Sequence, residues 1–115
     1  MSTPILTVTV QTGSPNVTVL HAQGEIDHGS RDTLKQVAED SMQDRDARYL
    51  VIDLSAVTFC DSGGLSLFVE LHRENSAQGG WLRLAGATGM VRGVLEATNL
   101  DRMFTLYDSA RAATP

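Results

Sequence analysis

Residues 49–72 read YLVIDLSAVTFCDSGGLSLFVELH. The run at residues 49–52 is apolar and includes β-branched side chains, which predicts a strand buried on both faces. Asp53 begins to break this pattern, and the letters CDSGG at residues 60–64 indicate a turn. Side chains then recur at helical spacing over residues 65–72. The stretch therefore predicts a buried strand, a loop and a helix in succession.

The predicted helix begins at Asp61 or Ser62, and both are candidate site residues. Backbone N–H groups at the start of a helix have no partner inside it, and the helix dipole favours negative charge there. A serine at such a start is either a helix cap or the acceptor of a phosphate group. Considered without its neighbours, Ser62 is more simply a cap, and Asp61 is a cap or a loop carboxylate.

Hydrophobic patterning predicts the other strands and helices. Residues 5–10 alternate in polarity and residues 17–22 form a second strand, so they are expected to pair as an antiparallel hairpin across a turn at residues 12–16. A helix is predicted from a cap at Ser30 to an end at residues 44–46, and the central helix should stop at the glycines at residues 79–80. The later elements are a strand at 81–85, a short helix at 90–95, a strand at 104–107 and a brief helix after Ser109, with a left-handed cap at Asn99. Strands that alternate with helices after a hairpin predict an α/β fold, with a mixed, mainly parallel sheet, an N-terminal hairpin and helices packed against the sheet.

Composition limits the class of protein. The chain has 115 residues, 42% of them hydrophobic and 20% charged, which is a soluble globular balance and predicts a single domain over residues 1–115. The formal net charge of −5 disfavours nucleic acid and anionic membrane surfaces as partners, because both attract a basic face. Cys60 is the one cysteine, which excludes an intramolecular disulfide and fits a reducing compartment. With no signal peptide and no apolar run of membrane-spanning length, the sequence predicts a cytoplasmic protein.

Two predicted loops, at residues 24–27 and 59–64, each follow a strand and precede a helix. Ligands of open α/β sheets usually bind at the carboxyl ends of the strands, so these loops are expected to lie near each other. Asp27, Asp61 and Ser62 would then share one small surface patch.

With these residues in view, the chain resembles the anti-sigma factor antagonists (anti-anti-sigma factors) of the STAS domain family. The matching segments are GEID at residues 24–27, LVIDL at 50–54, VTFCDSGGL at 57–65 and a late segment at 99–106. Each motif is short, but their spacing and the order of elements make the match fairly specific, and it covers nearly the whole chain. The resemblance implies a STAS fold.

The resemblance also implies a switch rather than a catalyst. In the family, the serine directly after the aspartate is phosphorylated by a partner anti-sigma factor with serine kinase activity, and here that serine is Ser62. The unphosphorylated form binds the anti-sigma factor and so releases a sigma factor, whereas phosphorylation abolishes binding until a serine phosphatase restores it. Gly63 stands where the family often has serine, which leaves Ser62 as the only acceptor in the motif and is expected to make the loop more flexible.

On the same resemblance, Asp61 is expected to hold the loop and orient the Ser62 hydroxyl. The expected partner-binding residues are Gly24, Asp27, Asp61, Ser62 and Gly63. No catalytic residue, metal ligand or cofactor is expected, and the chain is expected to be a monomer or a weak dimer. A phosphate at the helix start is tolerated by free N–H groups, while its charge near the two aspartates would spoil a complementary interface.

Two alternatives remain. A STAS subunit of a lipid or anion transport system would be a non-catalytic binding module that needs no phosphorylation of Ser62. An enzyme that uses Ser62 or Cys60 as nucleophile would lack a placed base, and Asp61 would raise rather than lower the thiol pKa, so a small buried role is expected for Cys60. His28 is expected to be a surface histidine, because no second cluster of metal ligands accompanies it.

Overall fold

The structure, a computed structural model, describes residues 5–13, 16–43 and 48–115. Its five strands form one sheet in the order β1-β2-β3-β4-β5. The strands are β1 (Leu6–Gly13), β2 (Val17–Ile26), β3 (Tyr49–Cys60), β4 (Trp81–Ala85) and β5 (Leu106–Tyr107). The helices are α1 (Arg31–Met42), α2 (Ser62–Ala77), α3 (Gly89–Ala97), α4 (Leu100–Met103) and α5 (Ala110–Ala113). β1 pairs antiparallel with β2 and the other neighbours pair in parallel, which confirms the predicted hairpin and the mainly parallel sheet.

The larger part of the core lies between the sheet and helices α1, α2 and α3. Successive strand residues point to opposite faces, so Leu20, Ile52 and Leu84 of three neighbouring strands all face these helices. Leu34 of α1 and Phe68 of α2 belong to the same fully buried cluster. Burial of one such side chain contributes about 1.5–3 kcal/mol, so this layer supplies most of the apolar stabilisation.

The other face of the sheet carries a smaller cluster under α5. Val19, Val51 and Ala113 of α5 are buried there, with aromatic side chains at the rim. The strand predicted from residues 49–52 is therefore buried on both faces, as expected.

β2 and β3 both extend further than the sequence pattern predicts. β2 continues through Ile26, so most of the expected loop at residues 24–27 is strand, and β3 continues past Asp53 to its end at Cys60. Asp53 stays in the strand because His21, its partner across the ladder, approaches its carboxylate with Nδ1 at 2.7 Å. The charge that breaks the apolar pattern is thus paired within the sheet.

Several helix ends agree with the sequence. Gly79 after α2 and Asn99 before α4 adopt left-handed backbone conformations, with φ of 79° and 61°. Ser109 caps α5, because its hydroxyl accepts from the N–H of Ala112 at 3.1 Å. The predicted end of α1 at residues 44–46 and part of the hairpin turn lie outside the described residues.

Two expectations are wrong in detail. The strand expected at residues 104–107 is only Leu106–Tyr107, and α4 precedes it where no helix was predicted. Ser30 does stand before α1, but its side chain makes no cap hydrogen bond to the helix. Its hydroxyl instead donates to the carbonyl oxygen of Glu25 at 2.8 Å and accepts from the N–H of Asp27 at 2.9 Å, so it braces the preceding turn.

Candidate functional site

The candidate site lies where β2 and β3 end side by side. Ile26 and Cys60 are paired at the ends of these strands, and the N–H of Asp61 donates to the Ile26 carbonyl oxygen at 3.1 Å. Asp61 is the only residue between β3 and α2. The loop expected at residues 59–64 is therefore reduced to one residue, because the parallel ladder and the helix approach each other from either side.

Asp61 is the N-cap of α2. Its Oδ1 accepts from the N–H groups of Gly63 at 2.8 Å and Gly64 at 3.2 Å. Its Oδ2 accepts from the N–H of His28 at 3.2 Å and lies 3.0 Å from Nδ1 of the same residue. Partial burial opposes ionisation of this carboxyl, but the hydrogen bonds from His28 and the two glycines outweigh it and lower its pKa.

Ser62 is the first residue of α2, and it is exposed. The cap that the sequence could assign to either residue belongs to Asp61, so the capping role considered for Ser62 is wrong. Within the described ranges, no hydrogen bond is made by the Ser62 hydroxyl, and the Asp61 carboxylate bonds to His28 and the glycines rather than to it. The hydroxyl is thus free to meet a second molecule.

Gly63 and Gly64 are buried in the first turn of α2 rather than placed in a flexible loop. A Cβ atom on Gly64 would lie 2.7 Å from both Cys60 Sγ and Ile26 Cγ2. A Cβ atom on Gly63 would lie 3.0 Å from Cγ of His28. Close packing of the helix start against the strand ends therefore favours glycine most strongly at position 64, whereas a side chain at position 63 would require a small shift of His28.

Asp27 follows β2 and organises the turn into α1. Its Oδ1 accepts from the N–H groups of Gly29 at 2.9 Å and Ser30 at 2.8 Å. Asp27 also lines a surface cavity of about 280 Å³ together with the exposed side chain of Ile5. The two predicted loops lie next to each other, since the adjacent residue His28 bonds to Asp61, but Asp27 itself bonds within its own turn, and a patch shared by Asp27, Asp61 and Ser62 stays a prediction.

Gly24 has a structural reason to be glycine. Its φ is +117°, and a Cβ atom on it would lie 2.0 Å from the carbonyl oxygen of Ile5. The same carbonyl accepts from the N–H of Glu25 at 2.9 Å. Gly24 thus fixes the start of β1 against the end of β2, and its contact with a partner stays a prediction.

Two further residues belong to the site and were not assigned to it from the sequence. His28 bonds to Asp61, and Nε of Arg31 donates to the Gly63 carbonyl oxygen at 3.1 Å. The Arg31 guanidinium also donates to Glu70 of α2 at 2.8 Å. The only sequence signal for them was a histidine beside Asp27 and a cation in the first turn of the next helix, and both patterns are common on surfaces.

Cys60 is 1% exposed, which confirms its small buried role. Burial, and secondarily the nearby Asp61 carboxylate, raise the pKa of its thiol to about 12, so the thiolate is not accessible at neutral pH. In the described part of the chain, no three His, Cys, Asp or Glu side chains are grouped so that they could hold a metal ion.

None of the helices described is both long and apolar enough to cross a bilayer.

Known proteins resemble this chain at the level of sequence. An anti-sigma F factor antagonist from Paenibacillus polymyxa is 24% identical over 93 residues, covering 81% of this chain and 80% of that protein. The crystal structure of an anti-sigma factor antagonist from Mycobacterium paratuberculosis is 32% identical, with a TM-score of 0.81, over 98% of this chain and 95% of that one.

More distant structures share the fold alone. The Bacillus protein SpoIIAA in its phosphorylated form is 18% identical, with a TM-score of 0.71 over 93% of this chain and 96% of that one. A sulfate transporter family protein from Wolinella succinogenes is also 18% identical, with a TM-score of 0.75 over 90% of this chain and 85% of that one. The STAS domain family matches residues 9–113, which is most of the sequence. The chain belongs to the STAS domain family.

Proposed function

We propose that this protein is an anti-sigma factor antagonist whose binding to an anti-sigma factor is switched off by phosphorylation of Ser62. The observation that carries the proposal is the placement of Ser62, which is exposed at a one-residue junction with no described partner for its hydroxyl. Relatives that this chain matches over most of their length bear the name of anti-sigma factor antagonist. The proposed partners are an anti-sigma factor with serine kinase activity and a serine phosphatase.

Phosphorylation would act here chiefly by adding charge. The γ-phosphoryl group of ATP would pass to the Ser62 oxygen, which loses its proton, and ADP would leave. The phosphate adds about −1.5 to −2 charge at neutral pH. The N–H groups of Gly63 and Gly64 are already taken by Asp61, so they do not offset this charge as free helix-start donors would. The new charge would therefore lie beside an ionised carboxylate and disfavour a docked partner.

The proposed docking surface surrounds Ser62 at the edge where β2 and β3 end. It comprises Asp27 and Ile5 at the surface cavity, together with Asp61 and Gly63 at the start of α2. The exposed Ile5 side chain beside the Asp27 turn offers the partner an apolar contact. Gly24 supports this surface from below by holding β1 to β2.

Phosphoryl transfer tests the proposal directly. Candidate kinase-type anti-sigma factors from the same cell are mixed with ATP and with the wild type, Ser62→Ala or Ser66→Ala, and the intact mass is measured. Ser66 is the matched control, because it is an exposed serine one turn further along α2. We expect one added phosphate on the wild type and on Ser66→Ala, and none on Ser62→Ala.

The rival function is a STAS subunit of a transport system, and the fold shared with a sulfate transporter family protein favours keeping it in the test. Pull-down with candidate anti-sigma factors and candidate transporter ATPases separates the two. Absence of transfer from every kinase, with stable binding to a transporter ATPase that Ser62→Ala leaves unchanged, would overturn the proposed function. Hydrolysis of model esters by the wild type, abolished in Ser62→Ala, would instead reveal an enzyme.

A further inference from the structure

His28 joins the turn after β2 to the start of α2. Both its backbone N–H and its Nδ1 face Oδ2 of Asp61, at 3.2 Å and 3.0 Å. A carboxylate only accepts hydrogen bonds, so Nδ1 must carry a hydrogen. Nε2 is the other ring nitrogen, and the side chain is 72% exposed.

The absence of a side chain at residue 63 leaves room for the imidazole beside the first turn of α2. A Cβ atom on Gly63 would be 3.0 Å from His28 Cγ and 3.1 Å from Asp61 Oδ1. Ser62 stands between Asp61, whose carboxylate bonds to His28, and Gly63, where a Cβ atom would approach the His28 ring. A phosphate on Ser62 would therefore be added one residue from the carboxylate that holds this ring.

We propose that His28 is part of the phosphorylation site, where its protonated imidazole is the counter-charge of the phosphate on Ser62. This inference rests on the proposed phosphorylation of Ser62 and adds a residue to it. The paired charges would stabilise the phosphorylated form while the imidazole is charged and the phosphate is a dianion.

The other charged groups near the ring do not take this part. Asp61 and Asp27 are anions, so each increases the demand for a cation at this edge. Arg31 is a cation at the start of α1, but its guanidinium already binds the Gly63 carbonyl and Glu70. Lys35, one turn further along α1, is paired with Glu70 at 2.6 Å.

The test uses protein in which phosphoserine is incorporated at position 62 during translation, so no kinase is required. The second ionisation of a phosphate monoester has a pKa of about 6, and its ³¹P chemical shift reports it. A facing imidazolium stabilises the dianion, so we expect the phosphate pKa to be lower in the His28 protein than in His28→Asn, by about 0.5–1 pH unit. Asparagine keeps a donor for Asp61 but cannot become charged.

His21→Asn is the matched control, because His21 also pairs with an aspartate, Asp53, but projects from the sheet face under α5. The control should leave the phosphate pKa unchanged. Equal phosphate pKa values in the wild type and His28→Asn would overturn the inference about His28. Failure of the proposed function would show separately, as absence of phosphoryl transfer to Ser62 from any kinase.

Discussion

Gly64 marks the tightest packing at the site. Substitution Gly64→Ala would place a methyl group 2.7 Å from both Cys60 Sγ and Ile26 Cγ2, and the backbone oxygen of Ile26 is 3.1 Å away. Overpacking of this kind costs about 1–3 kcal/mol, which we expect as a loss in the free energy of unfolding measured with urea.

Gly93 provides the comparison for Gly64. It lies inside α3, and a Cβ atom there would meet nothing within 4 Å. Gly93→Ala should therefore increase the free energy of unfolding by about 0.5–1 kcal/mol, because alanine restricts the unfolded chain. Equal effects of the two substitutions would refute the packing role of Gly64.

Asp61 gives a pH-dependent prediction at the residue scale. Asp61→Ala removes the cap of α2, and we expect a loss of about 1 kcal/mol at neutral pH. The pKa of this carboxyl is lowered in the folded protein, so its contribution is present above the ordinary carboxyl range and is lost as the pH falls through the folded pKa.

Asp61→Asn isolates the charge from the cap, since asparagine also caps helices well. Urea unfolding of the wild type and this variant should differ most at neutral pH, and the difference should close in acid. A difference that is constant with pH would show that the carboxylate charge contributes nothing.

At the scale of elements, α1 and α2 are joined by one carboxylate. Glu70 of α2 accepts from Arg31 at 2.8 Å and from Lys35 at 2.6 Å, both on α1. The hydrogen bond and charge of Lys35, followed by those of Arg31, lower the Glu70 pKa against the opposing effect of burial. These groups are partly exposed, so Glu70→Gln should cost only about 0.5–1 kcal/mol at neutral pH.

The cost of Glu70→Gln should vanish as the pH falls below the lowered pKa of Glu70, where the wild-type carboxylate is protonated. Glu96→Gln is the control, because Glu96 forms a single exposed pair with Arg92 within α3. Thermal unfolding across a pH series would measure the loss of stability in both variants. If the control lost as much stability as Glu70→Gln, the bridge between the helices would have no special weight.

Element order could be predicted from the sequence because apolar periodicity is strong in every long element. The end of β3 could not, since Asp53 resembles a breaker until its cross-strand partner His21 is known. The choice of cap between Asp61 and Ser62 also could not, because it depends on where Ile26 holds the end of the strand. His28 joined the site only through a contact with a residue 33 positions away.

At the scale of the molecule, the two faces of the sheet are covered unequally. Helices α1 to α4 contribute to the core on one face, while α5 covers a small apolar cluster on the other. Arg83 holds α5 there, because it donates to the Ala113 carbonyl oxygen at 2.9 Å and its guanidinium stacks 3.9 Å from the Trp81 ring centre.

Arg83→Ala should loosen α5 and expose the apolar cluster beneath it. We expect a loss of about 1–2 kcal/mol in the free energy of unfolding, from a charged hydrogen bond and a cation–π contact. Binding of a hydrophobic dye to the native protein should increase as well. Arg83→Lys keeps the charge but not the planar stacking, so its free energy of unfolding and its dye binding should fall between those of the wild type and Arg83→Ala.

Dye binding that stays at the wild-type level in Arg83→Ala would mean that α5 remains seated without Arg83. The packing of Ala113 in the apolar cluster would then be the stronger attachment.

The single-residue junction at Asp61 has a consequence for how fast a partner can associate. A binding loop that must be ordered loses conformational entropy in every encounter, and this loss slows productive docking. Ser62 is fixed to the end of β3 before any partner arrives, so little of that loss remains. Association should then approach the rate at which rigid bodies dock, about 10⁵–10⁷ M⁻¹s⁻¹. This rate should depend on ionic strength, and no slow step from rearrangement of the chain should limit it.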